Sequence, residues 1–116
     1  MGDSKLMKGW LAGRIAKVTC ATHFVEDEKT IMVGKVKAET VNYIVLKGRC
    51  FQFQDLKNAD LEAVNRAKSS VWVLPWTAIK AIEEIPEGTK WDVDCAFADN
   101  GDLVLSNKQS TLIAAR

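Results

Sequence analysis

The stretch that decides the fold runs from Thr30 to Gln54 and reads TIMVGKVKAETVNYIVLKGRCFQFQ. Its first part, up to Ala38, is a strand-like run, and its second part, from Thr40 onward, is richer still in residues that favour strands. Gly48 falls inside the second run, where a glycine marks a bend or a bulge. The stretch therefore predicts two consecutive strands, and curvature at Gly48 suits a small barrel better than a flat sheet.

Further strand signals lie on both sides of this stretch. Ile15 to Phe24 alternates apolar and polar side chains with the period of a strand, and Ser70 to Leu74 returns to strand composition. Near the carboxyl end, Trp91 to Ala98 alternates in the same way, and Leu103 to Leu105 follows it across the dipeptide Asn100-Gly101. Because Asn-Gly between two such runs is a strong hairpin signal, they are predicted to form a terminal β-hairpin.

Two helices and one ambiguous segment complete the prediction of secondary structure. Ser4 to Leu11 has a capping serine and apolar residues on one side, which predicts a short amino-terminal helix or, since Gly9 and Gly13 weaken a helix, a frayed turn. Asn58 is a typical helix cap, and the acidic first turn and apolar spacing that follow predict an inserted helix over residues 59–68. Residues 76–85 contain isoleucines three apart, a spacing that fits either a helix or a turn followed by a bulged strand.

Length and composition indicate the class of protein. The chain has 116 residues, of which 47% are hydrophobic and 27% charged, as in one globular domain. We therefore predict a single mainly β (α+β) domain over residues 1–116, a small, strongly bent antiparallel barrel or sheet.

No apolar run is long enough to span a bilayer and no targeting signal is present, so we expect a cytoplasmic protein with no membrane partner. Cys20, Cys50 and Cys95 are odd in number and far apart, which is typical of reduced thiols.

The charges are divided unevenly along the chain. Residues 1–58 carry 10 Lys and Arg against 6 Asp and Glu, a net +4, whereas residues 59–116 carry 6 against 9, a net −3. Three explanations fit this division: a basic surface for an anionic partner, a basic and an acidic edge that meet between subunits, or a solvated exterior. The net charge of the whole chain, +1, is lower than dedicated nucleic-acid binders usually carry.

No combination of residues predicts a catalytic or metal site. His23 is the only histidine, and on an alternating strand it faces away from Cys20; two such ligands do not complete a tetrahedral zinc site. The aspartates around the terminal hairpin are explained more simply by a solvated strand face and turn than by acid–base or cation-binding pairs. The glycine spacing matches neither a dinucleotide fingerprint nor a P-loop. We expect a protein that is not an enzyme and that has no metal ion or cofactor.

Trp76 is the aromatic residue best placed to meet a ligand. It follows Pro75 at a predicted turn, where an indole can stack on a base or anchor a partner. The alternative is that Trp76 packs at an interface or under the loop. The other three tryptophans are expected in core or subunit contacts.

Two segments resemble the Sm-like small-barrel family. The first is Gly34-Lys35-Val36-Lys37 with the following Asn42 to Leu46, which resembles the family's Gly-x-hydrophobic motif followed by an asparagine and a strand. The second, Val71 to Ile82, resembles its strand, tight turn and short closing strand. The resemblance covers about residues 30–85 and implies a barrel of bent strands that forms rings and binds RNA.

The chain departs from this family at two places. Glu39-Thr40-Val41 stands in the interval where members have an aspartate before the asparagine. Leu74-Pro75 stands where members have a basic residue, beside Gly or His, that helps to hold the RNA base. The resemblance therefore implies ring formation more strongly than it implies uridine binding of the family type.

These observations lead to one hypothesis and one alternative. The hypothesis is a non-enzymatic, Sm-like module that assembles through its strand edges into a homo-oligomeric ring and binds single-stranded nucleic acid, RNA in preference to DNA. In this hypothesis Asn42 hydrogen-bonds a base and Trp76 stacks on it. The phosphates are attracted by Lys35, Lys37 and Lys47. The alternative is an oligomeric adaptor or inhibitor, of the kind encoded by phages and other mobile elements, that binds a protein partner or a small nucleotide.

Overall fold

The computed structural model describes residues 10–22, 27–57 and 59–116. Within these ranges the chain forms two antiparallel β-sheets and two single-turn 3-10 helices. The strands are β1 (Ile15–Cys20), β2 (Lys29–Glu39), β3 (Tyr43–Phe53), β4 (Asn65–Pro75), β5 (Ile79–Ile85), β6 (Cys95–Phe97), β7 (Leu103–Leu105) and β8 (Leu112–Ala114). The 3-10 turns are Leu61–Ala63 and Trp76–Ala78. The prediction of a mainly β fold built from antiparallel strands is confirmed.

The larger sheet has five strands in the order β4-β3-β2-β1-β5. Its first four strands, in chain order, pair with their immediate neighbours, and β5 then pairs with β1. The 3-10 turn Trp76–Ala78 joins β4 to β5, which are consecutive in sequence but lie at opposite edges of the sheet. The smaller sheet has the order β6-β7-β8.

Side chains alternate across the larger sheet, and one of its faces, the inner face, is apolar. Its buried members include Val18, Val36, Ile44, Leu46 and Leu74, against which Trp72, Trp76, Ile79 and Ile82 pack. Because a turn of only three residues joins β4 and β5 at opposite edges of the sheet, the sheet curls and both edge strands contribute to this core. Full burial of a Val, Ile or Leu side chain stabilises a fold by about 1.5–3 kcal/mol, so this cluster stabilises the curled shape.

The opposite face of the larger sheet, the outer face, is covered over only part of its area. On the covered half, Ile31, Val33, Phe51 and Phe53 are buried beneath the smaller sheet. The smaller sheet contributes Cys95, Leu103, Leu105 and Ile113 to the same cluster. The open half lies toward the turn between β2 and β3. Its residues are Lys35, Lys37, Tyr43, Val45, Lys47, Val71 and Val73.

Two glycines allow β2 and β3 to approach closely where they bend. Gly34 and Gly48 are directly opposite each other in the pairing of these strands. A Cβ atom on Gly34 would lie 2.1 Å from the carbonyl oxygen of Lys47 and 2.4 Å from the Cα of Gly48. The register of β3 with β4 shifts immediately after Gly48, which confirms the bend or bulge predicted there.

β6 and β7 form the predicted terminal hairpin, in which Cys95 pairs with Leu105 and Phe97 with Leu103. Gly101 has a φ of 92° in the connecting turn, a left-handed conformation that glycine adopts without strain. The first strand of the hairpin is shorter than its alternating sequence predicts. The sequence does not predict β8, because three residues are too few to show alternation.

The predicted helix over residues 59–68 is wrong. Leu61–Ala63 makes only a single 3-10 turn, and β4 already begins at Asn65. The first residues of β4 pair with the end of β3, and Val64 is buried in the cluster of the covered half. Tertiary contacts therefore outweigh the local helical pattern, whose apolar spacing also suits a 3-10 turn. Asn58, the expected cap, lies outside the described residues.

The other two helical predictions have different outcomes. Of the predicted amino-terminal helix, the structure describes only Trp10 and Leu11, which lie in a turn, and residues 4–9 are outside the described ranges. Residues 76–85 form a 3-10 turn followed by β5, with a register shift at the end of β1. This arrangement matches the alternative of a turn followed by a bulged strand.

In the described part of the chain, no helix has the length and apolar character needed to cross a membrane.

Candidate nucleic-acid interface

The turn between β2 and β3 is held by the hydroxyl group of Thr40. Its Oγ1 accepts the backbone N–H groups of Asn42 and Tyr43 at 3.1 and 3.0 Å, and the Thr40 N–H donates to the Tyr43 carbonyl at 2.8 Å. Threonine commonly stabilises tight turns in this way. Asn42 is exposed, and its side-chain amide forms no hydrogen bond with any residue that the structure describes.

Trp76 lies directly beside this turn. Its backbone N–H donates to the carbonyl oxygen of Asn42 at 3.1 Å, and its indole Nε1–H donates to the carbonyl oxygen of Thr40 at 2.9 Å. The ring is partly buried and packs against the inner-face core. The structure thus brings together the two predicted base-binding residues, while the indole N–H is used to hold the turn.

The three predicted phosphate-binding residues form a separate group on the open half of the outer face. Lys35, Lys37 and Lys47 are all exposed. Lys35 is directly opposite Lys47, and Lys37 lies at the bulge that follows in β2. Like charges in directly opposed positions destabilise a sheet. Within the described ranges none of the three forms an ion pair, so we call them the unpaired lysine group.

The arginines of the covered half are, by contrast, neutralised by carboxylates. Arg49 lies 3.7 Å from Asp92 and 3.8 Å from Asp94, and Arg66 lies 3.3 Å from Asp94. These aspartates belong to the segment that leads into β6. The ion pairs therefore connect the smaller sheet to β3 and β4.

Three exposed apolar residues beside the lysines were not predicted as part of the site. Tyr43 is 38% exposed, and Val71 and Val73 are 63% and 61% exposed. Lys47 is opposite Val71, and Val45 is opposite Val73. The alternation of β3 could have shown that Tyr43 and Lys47 share a face. The two valines join them only through the pairing of β3 with β4, which the sequence does not show.

The cysteines and acidic residues are arranged as structural groups. Burial raises the pKa of the Cys50 and Cys95 thiols to about 11, and it also raises the pKa of the half-buried Cys20 thiol. The thiols stay protonated at neutral pH, whereas nucleophilic attack and metal binding need a thiolate. Among the residues that the structure describes, no group of three or more His, Cys, Asp and Glu could hold a metal ion. His23 lies outside these residues.

A depression of about 320 Å³ lies between the turn that precedes β1 and the end of β5. Its lining includes Arg14 and Glu84, which form an ion pair of 2.6 Å with each other. Arg14 also lies over the ring of Trp10, 5.1 Å from its centroid. The charges of Arg14 and Glu84 are thus engaged within the chain.

Comparison with known proteins gives no assignment. No protein-family model, no curated protein and no solved structure matches the chain.

Proposed function

We propose that this protein is a non-enzymatic, Sm-like small-barrel module that forms a homo-oligomeric ring and binds single-stranded nucleic acid, RNA in preference to DNA. The observation that carries the proposal is the unpaired lysine group on the open half of the outer face. The positive charges of the three lysines repel one another, and an anion that lies between them relieves this repulsion. A phosphate backbone supplies such anions at regular intervals, and phosphate contacts provide most of the non-specific affinity for nucleic acid.

The two edges of the larger sheet support assembly into a ring. Within the described ranges, β4 and β5 each have a strand partner on one side only, and an open edge readily pairs with another chain. The first half of β4 carries Arg66 and Lys68, and the second half of β5 carries Glu83 and Glu84. Antiparallel pairing of β4 with β5 of a second copy brings Lys68 toward Glu83 and Glu84, whose partners within the chain are Lys17 and Arg14. Because the contact joins two different surfaces, each new copy leaves one edge open for the next. The copies form a ring when the rotations between them add up to a full circle.

Asn42 and Trp76 supply the proposed base contact at the β2–β3 turn. The amide of Asn42 can donate and accept hydrogen bonds at the same time, which suits the edge of a base. The exposed part of the neighbouring Trp76 ring offers a surface on which a base can stack.

Fluorescence anisotropy with labelled oligo-U, oligo-A and single-stranded DNA, at two salt concentrations, tests the proposal. Lys37→Ala should lower the affinity and reduce its dependence on salt, because fewer counterions are released. Lys90→Ala changes an exposed lysine outside the group and should leave the salt dependence unchanged. Trp76→Ala should weaken binding about five- to a hundred-fold without altering that dependence. If no oligonucleotide binds below about 100 µM at low salt, where even non-specific contacts register, nucleic-acid binding is refuted.

A second candidate function is an oligomeric adaptor or inhibitor that binds a protein partner or a small nucleotide. The exposed side chains of Val71 and Val73 favour it, because adjacent apolar residues on a surface are typical of protein interfaces. The low net charge of the chain also favours it. This candidate takes the place of the first if no oligonucleotide binds.

A further inference from the structure

The cations of the outer face separate into a paired and an unpaired group. On the covered half, Asp92 and Asp94 neutralise the two arginines, and Glu83 lies 3.4 Å from Lys17 of β1. On the open half, the unpaired lysine group has no carboxylate partner within the described residues. Lys35, Lys37 and Lys47 therefore form one local group of unpaired positive charges on the open half.

Tyr43 is the aromatic residue that shares this open half with the lysines. It begins β3, and the alternation of the strand places it on the same face as Lys47, four residues further on and about 13 Å away at about 3.3 Å per residue. Tyr43 is 38% exposed, and its partner on β4 is Pro75, two residues from the exposed Val73. Trp76, in contrast, packs against the inner-face core, and its indole N–H is bound to the turn. The ring of Tyr43, rather than that of Trp76, lies on the surface of the lysines.

The geometry points to a binding track on the open half of the outer face, in which Tyr43 stacks on a base while Lys35, Lys37 and Lys47 hold the phosphates. This inference rests on the proposed function and names its site. A row of cations that ends at an exposed aromatic ring matches a nucleic-acid strand, which has regularly spaced phosphates and flat bases. The nucleic acid must be single-stranded, because the bases of a duplex are stacked on one another and cannot stack on a protein ring. An acidic peptide would satisfy the lysines but would not need the ring.

The single tyrosine of the chain makes this inference directly testable. Incorporation of 3-fluorotyrosine labels residue 43 alone, so a 19F spectrum of the full chain reports on this ring without assignment. We expect its resonance to shift when oligo-U is added. In anisotropy measurements Tyr43→Leu should weaken oligo-U binding about five- to a hundred-fold without changing the salt dependence, whereas Tyr43→Phe should bind like the wild type. Urea unfolding of both variants shows whether the fold is kept.

The outcomes distinguish this inference from the proposed function. If oligo-U binds but the fluorotyrosine resonance does not shift and Tyr43→Leu binds like the wild type, the track is wrong while the function stands. If no oligonucleotide binds, both are wrong. A third outcome is that poly-glutamate displaces labelled oligo-U as well as unlabelled oligo-U does, with only the lysine variants weakening oligo-U binding. In that case the site is a general polyanion surface and the role of Tyr43 is refuted.

Discussion

At the scale of single residues, the opposed glycines Gly34 and Gly48 determine where the sheet can bend. Each is adjacent in sequence to one of the opposed lysines, Lys35 and Lys47. Because successive side chains point to opposite faces, glycines on the inner side of the bend place these lysines on its outer side. The bend and the unpaired lysine group therefore have a common origin in the sequence.

Gly34→Ala tests this account of the bend. The new Cβ would lie 2.1 Å from a backbone oxygen of the neighbouring strand, which cannot move as a flexible side chain would. We expect the free energy of unfolding to fall by at least about 1–3 kcal/mol, as in other overpacked sites. Lys35→Ala, at the next and exposed position, is the matched control. Equal urea midpoints for the two variants would contradict the account.

Tyr43 and Trp76 show what local sequence reveals about a site and what it does not. The sequence predicts a turn at Trp76 after Pro75, and the structure has one there. The face of the larger sheet on which each ring lies depends on contacts between residues distant in sequence. The indole N–H of Trp76, for example, donates to the carbonyl oxygen of Thr40, 36 residues away. The position of an aromatic residue in a turn could thus be predicted, but the surface it occupies could not.

At the scale of elements, the smaller sheet limits the basic surface of the larger one. It covers Ile31, Val33, Phe51 and Phe53 of the outer face, and the segment before β6 supplies the carboxylates that neutralise the two arginines of the covered half. The terminal hairpin, which lies outside the residues that resemble the Sm-like family, therefore defines where the open half begins.

Asp94→Asn tests this electrostatic boundary. The substitution keeps the Oδ1 atom that accepts the Cys95 N–H at 2.8 Å, but it removes the charge that faces both arginines. We expect a loss of less than about 1 kcal/mol in stability, because these pairs are partly exposed. Affinity for oligo-U should rise and its salt dependence should steepen. Asp99→Asn, in the exposed hairpin turn, should change neither property, and an unchanged salt dependence for Asp94→Asn would contradict the boundary.

The elements that could be predicted are those whose signals are local. β2, β3 and the terminal hairpin follow from β-favouring runs and from an Asn-Gly turn, and all three are present. The helix over residues 59–68 was predicted from an equally local signal, but the strand contacts of β4 outweigh it. The return of β5 to β1 is a long-range pairing, and no short pattern in the sequence encodes it.

At the scale of the whole molecule, the opposite charges of the two halves of the chain meet within the fold. The acidic carboxyl half supplies the partners of Arg14, Lys17 and Arg49 in the basic amino half. The lysine group on the open half is not among the cations that these carboxylates neutralise. A net charge near zero is therefore compatible with a strongly basic local surface.

Mass determination by light scattering, with a saturating amount of oligo-U, tests ring assembly and nucleic-acid binding in a single measurement. We expect a particle whose protein mass is a whole multiple, greater than one, of the 12.9 kDa chain, with RNA bound. This mass should not change when the sample is diluted about tenfold, since a closed ring has no free edges left to exchange. A 12.9 kDa monomer at micromolar concentration, free of RNA, would contradict it.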